Sequence, residues 1–382
     1  MNDFISEVKE NNFTLPNYKN SNLSIIKEIA NKGKIGEKKK KILMLIDGLG
    51  YNLLSKALSE RKIDFIKNYK IEKISTVFPS TTAVALASIE TGLTPSEHGI
   101  VGWHVYSKEL GSVVAPYRDS LALNEKFKFD HLGIRNIIPE AKLLLKMAEN
   151  RNVMLLFDKS IEKPQCNGNN KIRIDKYTMQ SDMILKLKNE VVKDEYDFIY
   201  VYHFLIDSIE HEYGPISEAS INATALLLNE LENILLPTLE KSDYNLIITA
   251  DHGHTKVNKW LIIDSKSKIM NYLYGPPWGD ARIMFMNVIP KYENDLRKYV
   301  AEKYSKYAIL EESDTVISTG IFGKKKIDEK IRYRFGTHML IAKPNFAFSY
   351  IYPKNTQTKA VDFVGTHSGL SKEEMEVPLI VL

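Results

Sequence analysis

Cysteine is almost absent: the 382-residue chain holds one, Cys166. No intrachain disulfide can form, so apolar packing has to hold the fold, and a reducing cytoplasm is the expected compartment. Long hydrophobic runs are missing as well, which excludes a transmembrane helix. The opening MNDFISEVKENN is polar and carries no signal-peptide core. Charge of one sign is scarce: the net charge of +4 argues against nucleic acid as a partner. There is no internal repeat and no low-complexity segment, so neither a solenoid nor a compositional tail organises the chain. What remains is an ordinary globular composition, 44% hydrophobic and 26% charged, in a length that suits one large domain or a core with a smaller insertion.

The chain is organised around residues 71–100, IEKISTVFPSTTAVALASIETGLTPSEHGI. Residues 71–78 are rich in β-branched side chains and predict a buried strand. Pro79 stops it. Ser80, Thr81 and Thr82 stand where a helix begins, residues 83–90 favour that helix, and Thr91-Gly92 ends it. A hydroxyl at a helix N-terminus is well placed to attack phosphorus, because unpaired amides and the positive dipole end favour an anionic phosphoryl group. On this stretch alone, Ser80 or Thr81 equally well does no more than cap the helix.

Other segments supply the scaffold. KILMLI at 41–46 is a continuous apolar run, the mark of a central parallel strand, and it ends in Asp47-Gly48-Leu49-Gly50. Residues 152–157, 197–202 and 246–250 are further buried strands. Residues 22–31, 51–70, 177–192 and 216–236 are expected to be helices. This alternation predicts an α/β fold with a doubly wound, mostly parallel sheet. Residues 102–119 look like an aromatic loop, with Trp103, His104 and Tyr106. After Asp264 the pattern changes. The expected organisation is a core over 1–265, a small α+β cap insertion over 266–340, and a return to the core over 341–382.

Asp and His recur where strands end. Asp47 follows the first central strand. Asp207 and His211 lie four apart in DSIEHEYGP, on one face if that segment is helical. Asp251 and His252 end another strand, and His367 stands near two glycines in a late loop. Mixed Asp/His ligation suits zinc, and a more oxygen-rich set suits manganese. Each residue alone has an ordinary reading: Asp47 as a cap, His211 as a surface side chain. Jointly, after these strands, they point to a pair of divalent metals clamping a phosphoryl transfer.

With IDGLG at 46–50, FPSTTAVALASIETGLTPSEHGI at 78–100, DSIEHEYGP at 207–215, TADHGHT at 249–255 and GTHSGLSKEEMEVPLI from 366, the chain resembles the alkaline phosphatase superfamily. Within it, the likeness is to the type I phosphodiesterase/nucleotide pyrophosphatase family. The resemblance implies an alkaline phosphatase-like core and two divalent ions, zinc first and manganese second. It implies that Asp207, His211 and His367 hold one ion and that Asp47, Asp251 and His252 hold the other beside the nucleophile. The family nucleophile stands ten residues before the glycine of TGL, which here is Thr82. Thr82 would then form a phosphothreonine and also touch the second ion, leaving Ser80 and Thr81 to cap and position. His104, Arg118 and Trp103 are the candidates for substrate contacts. His254 resembles a residue that supports the ligands, and His203 a packed core histidine. The implied substrate is a small phosphodiester or nucleotide, with no nucleic acid and no membrane as partner. The alternatives are a phosphomonoesterase of the same fold and a non-catalytic nucleotide-binding member. The oligomeric state is left open.

Overall fold

The computed structural model describes residues 2–128, 133–161, 164–166, 169, 171–324, 326–352 and 362–382. Its central sheet has seven strands: β1 (Lys40–Ile46), β2 (Ile71–Ser75), β3 (Val153–Asp158), β4 (Ile172–Tyr177), β5 (Phe198–His203), β6 (Tyr244–Thr249) and β7 (Glu376–Val381). Across the sheet they run β2-β7-β6-β1-β5-β3-β4. β1 lies in the middle, parallel to β6 on one side and to β5 on the other. β7 is antiparallel to both of its neighbours. The expected α/β architecture with a mostly parallel sheet is therefore the fold of this chain. β1, β3, β5 and β6 read as unbroken apolar runs because layers on both faces bury them.

The edges of the sheet are less legible. β4, IRIDKY, alternates polar and apolar residues and goes unseen in the sequence, where the helix after it, Gln180–Lys193, dominates. The buried strand expected over 71–78 is instead the edge strand β2, which ends at Ser75 and has its first three residues only partly covered. Val77 and Phe78 leave the sheet and are buried elsewhere. Residues 102–119 are not a loop. They contribute to a four-stranded antiparallel meander of Val105–Ser107, Ser112–Ala115, Ser120–Leu121 and Asn124–Lys128, whose strands are too short to give a readable period. A helix over Asn2–Glu10 precedes the expected one, which spans Asn22–Ala30 behind a Ser21/Ser24 capping box.

The region expected to form a cap holds a four-stranded antiparallel sheet ordered Trp278–Asp280, Ile283–Met286, His338–Ala342, Ala308–Glu312. Its third strand runs through residue 341, where the sequence placed the return to the core. The next segment, Phe346–Ile351, pairs in parallel with Lys259–Asp264, so the chain enters and leaves the cap side by side. One apolar cluster joins Phe78 and Val101 to Trp278, Phe285 and Phe335 of the cap and to Leu370 and Met375. The cap thus packs directly on the segment that leads into Thr82. Among the described residues, no helix is long and apolar enough to cross a membrane.

Helix α1 (Thr82–Thr91) carries a buried carboxyl, Glu90. Burial pushes this group up to about 8, against the pull of Arg135. Its folded value lies above its unfolded value, so between the two the fold holds a proton that the unfolded chain has released. Stability from this group is full at low pH and is lost as pH rises. The expected slope is about 1.4 kcal/mol per pH unit. Glu90→Gln should remove that slope and gain on the wild type between pH 5 and pH 8 in denaturant titrations. Parallel stabilities of the two proteins over that range would count against a neutral Glu90.

Candidate active site

Thr82 is the first residue of α1, and the side chain of the residue before it, Thr81, makes no capping hydrogen bond. The hydroxyls of Ser80 and Thr81 are used elsewhere. Ser80 Oγ donates to the Gly369 carbonyl at 2.7 Å, and Thr81 Oγ1 donates to Asp280 Oδ2 at 2.8 Å. The expectation that they cap α1 through their side chains therefore fails. Thr82 Oγ1 instead faces the charged cluster, 3.1 Å from His252 Nε2 and 3.4 Å from each carboxylate oxygen of Asp47.

Strand register brings the acidic residues together. β1 and β6 pair in parallel with Leu45 opposite Thr249, which sets Asp47 level with Asp251 just past the strand ends. β1 and β5 pair with Ile46 opposite His203, and the Asp207 amide donates to the Asp47 carbonyl at 3.0 Å. Gly48 makes this approach possible. Its φ of +78° suits glycine, and a Cβ there would lie 2.8 Å from Asp207 Cα. Tyr202 donates to Asp47 Oδ2 from below. Helix α2 (Leu205–Tyr213) places His211 one turn after Asp207. The Nδ1 of His211 meets the Gly365 carbonyl at 2.9 Å, which turns Nε2 to within 3.4 Å of Asp207 Oδ1.

Asp47, Asp251 and His252 form one tight group. Asp207, His252, His254 and His367 form another. His367 Nε2 lies 3.6 Å from Asp207 Oδ1, and its ring stacks on His252 at 3.8 Å between centroids. His254, expected to stand behind the ligands, has Nε2 only 2.8 Å from Asp207 Oδ1. His203 is buried at the end of β5 and belongs to neither group.

Burial pushes the Asp47 carboxyl well above the usual range, and the charges of Asp251 and Asp207 push it further. Burial would raise Asp207 too, but His211, then His254 and His367, outweigh it and hold the group well below its ordinary value. Burial also depresses His254, to about 3, and His367, where the neighbouring His252 adds to the effect. Buried carboxylates facing one another beside imidazoles held neutral are the donor set of a divalent cation, which would remove the repulsion felt at Asp47. The residues present therefore fit metal binding.

A cavity of about 450 Å³ opens over Thr82. Trp103, His104 and Arg118 all line it, and the Arg118 guanidinium sits 5.5 Å over the Trp103 ring. Ala83, Val84 and Ala85 are buried in the main core and leave the cavity untouched. Its aromatic wall also includes Trp260, Tyr350, Tyr352 and Phe363, which sequence reasoning missed. A signal was present: Phe348, Tyr350 and Tyr352 alternate along Phe346–Ile351 and the residue after it, as one face of a strand does. Asp280 was missed as well. Besides Thr81, its Oδ2 accepts from the Trp103 amide at 3.0 Å, which ties the start of α1, the 102–104 segment and the strand Trp278–Asp280 to one carboxylate. Among the other aromatics noted in the sequence, Trp278 lines the cavity. Tyr106 packs on Trp278, Tyr272 packs on Tyr292 and Tyr299, and Tyr274 is exposed.

No curated protein matches the sequence significantly. Among solved structures, murine ectonucleotide pyrophosphatase/phosphodiesterase 5 is similar over 89% of this chain and 87% of its own, with a TM-score of 0.64 and 16% identity. Phosphonoacetate hydrolase from Sinorhizobium meliloti, solved with phosphonoformate, is similar over 90% of each chain, with a TM-score of 0.61 and 15% identity. Both likenesses concern the fold. The sequence itself matches the model of the type I phosphodiesterase/nucleotide pyrophosphatase family over residues 41–370, which takes in each of the Asp and His residues of the cluster together with Thr82. The chain belongs to the type I phosphodiesterase/nucleotide pyrophosphatase family.

Proposed function

We propose that this protein is a hydrolase of small phosphodiesters or nucleotide pyrophosphates that uses two divalent ions and a transient phosphothreonine at Thr82. The observation that carries this reading is the position of Thr82 Oγ1, at the N-terminus of α1 and within 3.4 Å of both Asp47 and His252. Asp47, Asp251 and His252 would hold one ion, with Thr82 beside it. Asp207, His211 and His367 would hold the other. When bound, such ions neutralise phosphoryl oxygens and lower the pKa of hydroxyl groups, zinc being the first choice and manganese the second.

Thr82 Oγ1 attacks phosphorus, the bond to the leaving oxygen breaks, and the phosphoryl group rests on Thr82 until water releases it. The N-terminus of α1 faces the phosphoryl oxygens with its positive dipole end. Asp280 holds Thr81 and the Trp103 amide, which keeps the first turn of α1 in register with the cavity wall. Arg118 offers positive charge next to Trp103, and the aromatic wall gives an aryl group or nucleobase a flat surface. Support comes from a relative of similar fold: murine ectonucleotide pyrophosphatase/phosphodiesterase 5 is inactive as a threonine-to-alanine variant, which has been solved in complex with AMP. With one cysteine in the chain, a reducing compartment, the cytoplasm, is the proposed location.

A monoester dianion brings a third negative oxygen, and α1 carries no cation to receive it. An aryl or nucleotide phosphodiester is therefore expected to exceed the matched monoester in kcat/KM by at least about tenfold, or 1.4 kcal/mol of transition-state binding. The test is a panel of diester, pyrophosphate and monoester substrates with one leaving group, assayed with Zn and with Mn. Equal or reversed ratios would reassign the protein to the phosphomonoesterases.

A further inference from the structure

Three imidazoles crowd a single oxygen. Asp207 Oδ1 is 2.8 Å from His254 Nε2, 3.4 Å from His211 Nε2 and 3.6 Å from His367 Nε2. Of these, the residue not counted among the ligands is the one that comes closest. The backbone explains how it gets there. Thr255–Lys256 and Gly365–Thr366 form a two-stranded antiparallel ribbon in which Thr255 faces Thr366. Continuing that register by one residue sets His254 directly opposite His367. Their rings lie 5.0 Å apart, and the His254 ring is 4.6 Å from that of His211. His254 is buried, and among the described residues its Nδ1 meets no protein partner, so the contact of Nε2 with Asp207 is what fixes the ring. A hydrogen bond explains one ring nitrogen at Asp207 Oδ1, but three gathered within 3.6 Å of it suit a shared cation, and Asp207, His254 and His367 fall in one group whose donor atoms can reach a common ion.

We infer that His254 is itself a ligand of the ion held by Asp207, His211 and His367. The inference rests on the proposed metal reading and extends it. Its chemical consequence is an asymmetric centre. The first site has three imidazoles and one carboxylate, a set that favours zinc or cobalt over manganese or magnesium. The second has two carboxylates and His252, and stays rich in oxygen. Four protein ligands also fill a tetrahedral shell, so the first ion has to expand to five ligands, or release one, to admit water or a phosphoryl oxygen. The alternative role for His254 is to donate a hydrogen bond to Asp207 and orient it, as residues behind metal ligands commonly do.

The two roles separate in the paramagnetic proton NMR spectrum of the full-length protein loaded with two equivalents of Co(II). A cobalt-bound imidazole shows its remaining ring N–H as a strongly shifted, exchangeable resonance. Four such resonances are expected, from His211, His252, His254 and His367. Three in the wild type would overturn the assignment of His254 while leaving the metal reading intact. None would overturn both. His254→Gln is expected to reduce four to three and to weaken Zn binding by at least about 100-fold, beyond the 10- to 100-fold range of an orienting partner. The wild-type count decides the matter even if that variant does not fold.

Discussion

Replacing Thr82 by alanine is expected to lower kcat by at least about 10³-fold, the scale on which enzymes lose a covalent nucleophile. The expectation is specific to this hydroxyl. Three consecutive residues, Ser80, Thr81 and Thr82, offer hydroxyl groups, but only the last points at the Asp and His cluster. Thr81→Ala removes a 2.8 Å hydrogen bond to Asp280, a contact worth about 1 kcal/mol, and so is expected to lower kcat by about tenfold or less. Ser80→Ala removes a bond to the Gly369 carbonyl, in the turn that follows His367. Thr82→Ser, which keeps the hydroxyl, should recover much of the rate. The measurement is kcat for all four variants with the same substrate and metal. If Thr81→Ala were the more damaging change, Thr82 would not be the nucleophile.

Removal of bound metal is expected to abolish turnover and to lower the melting temperature by several degrees, both reversed by adding Zn or Mn. The physical basis is the burial of the cluster. Asp251 and His252 are fully buried, Asp47 nearly so, and the charges of Asp251 and Asp207 already push the Asp47 carboxyl upward. A cation would compensate these groups. Without it, buried carboxylates repel, and breaking a buried ion pair in this way costs about 3–5 kcal/mol. The ligand-bearing segments also span residues 47 to 367, so the ions would tie distant parts of the chain together. Calorimetry and activity on a chelated, dialysed sample check both halves of the expectation. Full activity in a metal-free sample would rule the mechanism out.

Much of the site is legible in the sequence because parallel α/β sheets put chemistry at strand ends. Asp47 follows an unbroken apolar run, as do Asp251 and His252, and Thr82 opens a helix whose end is marked by Gly92. Those signals are local. What stayed hidden depends on contacts far apart in the chain. The nearness of His254 to Asp207 follows from a ribbon of two residues per strand that joins Thr255 to Thr366, too short to read as a strand from either side. Asp280 reaches Thr81 only because the cap folds back on α1. The edge strands β2 and β4 blur for a different reason: half-exposed strands carry charges, and Glu72, Lys73, Arg173 and Asp175 dilute the apolar pattern.

The position of β7 also sets the order in which the protein can be completed during synthesis. Residues 376–381 are the last of the seven strands to be translated, yet they lie inside the sheet, between β2 and β6. β2, which leads to Thr82, pairs in that sheet with β7 alone among the described residues. Until those residues emerge from the ribosome, β6 keeps one open edge, and the strand before Thr82 has only the bridge from Ser75 to Ser21. His367 emerges late as well. A nascent chain can therefore build the half of the sheet around β1, β5 and β3 early, while the half next to Thr82 waits for the last of the seven strands.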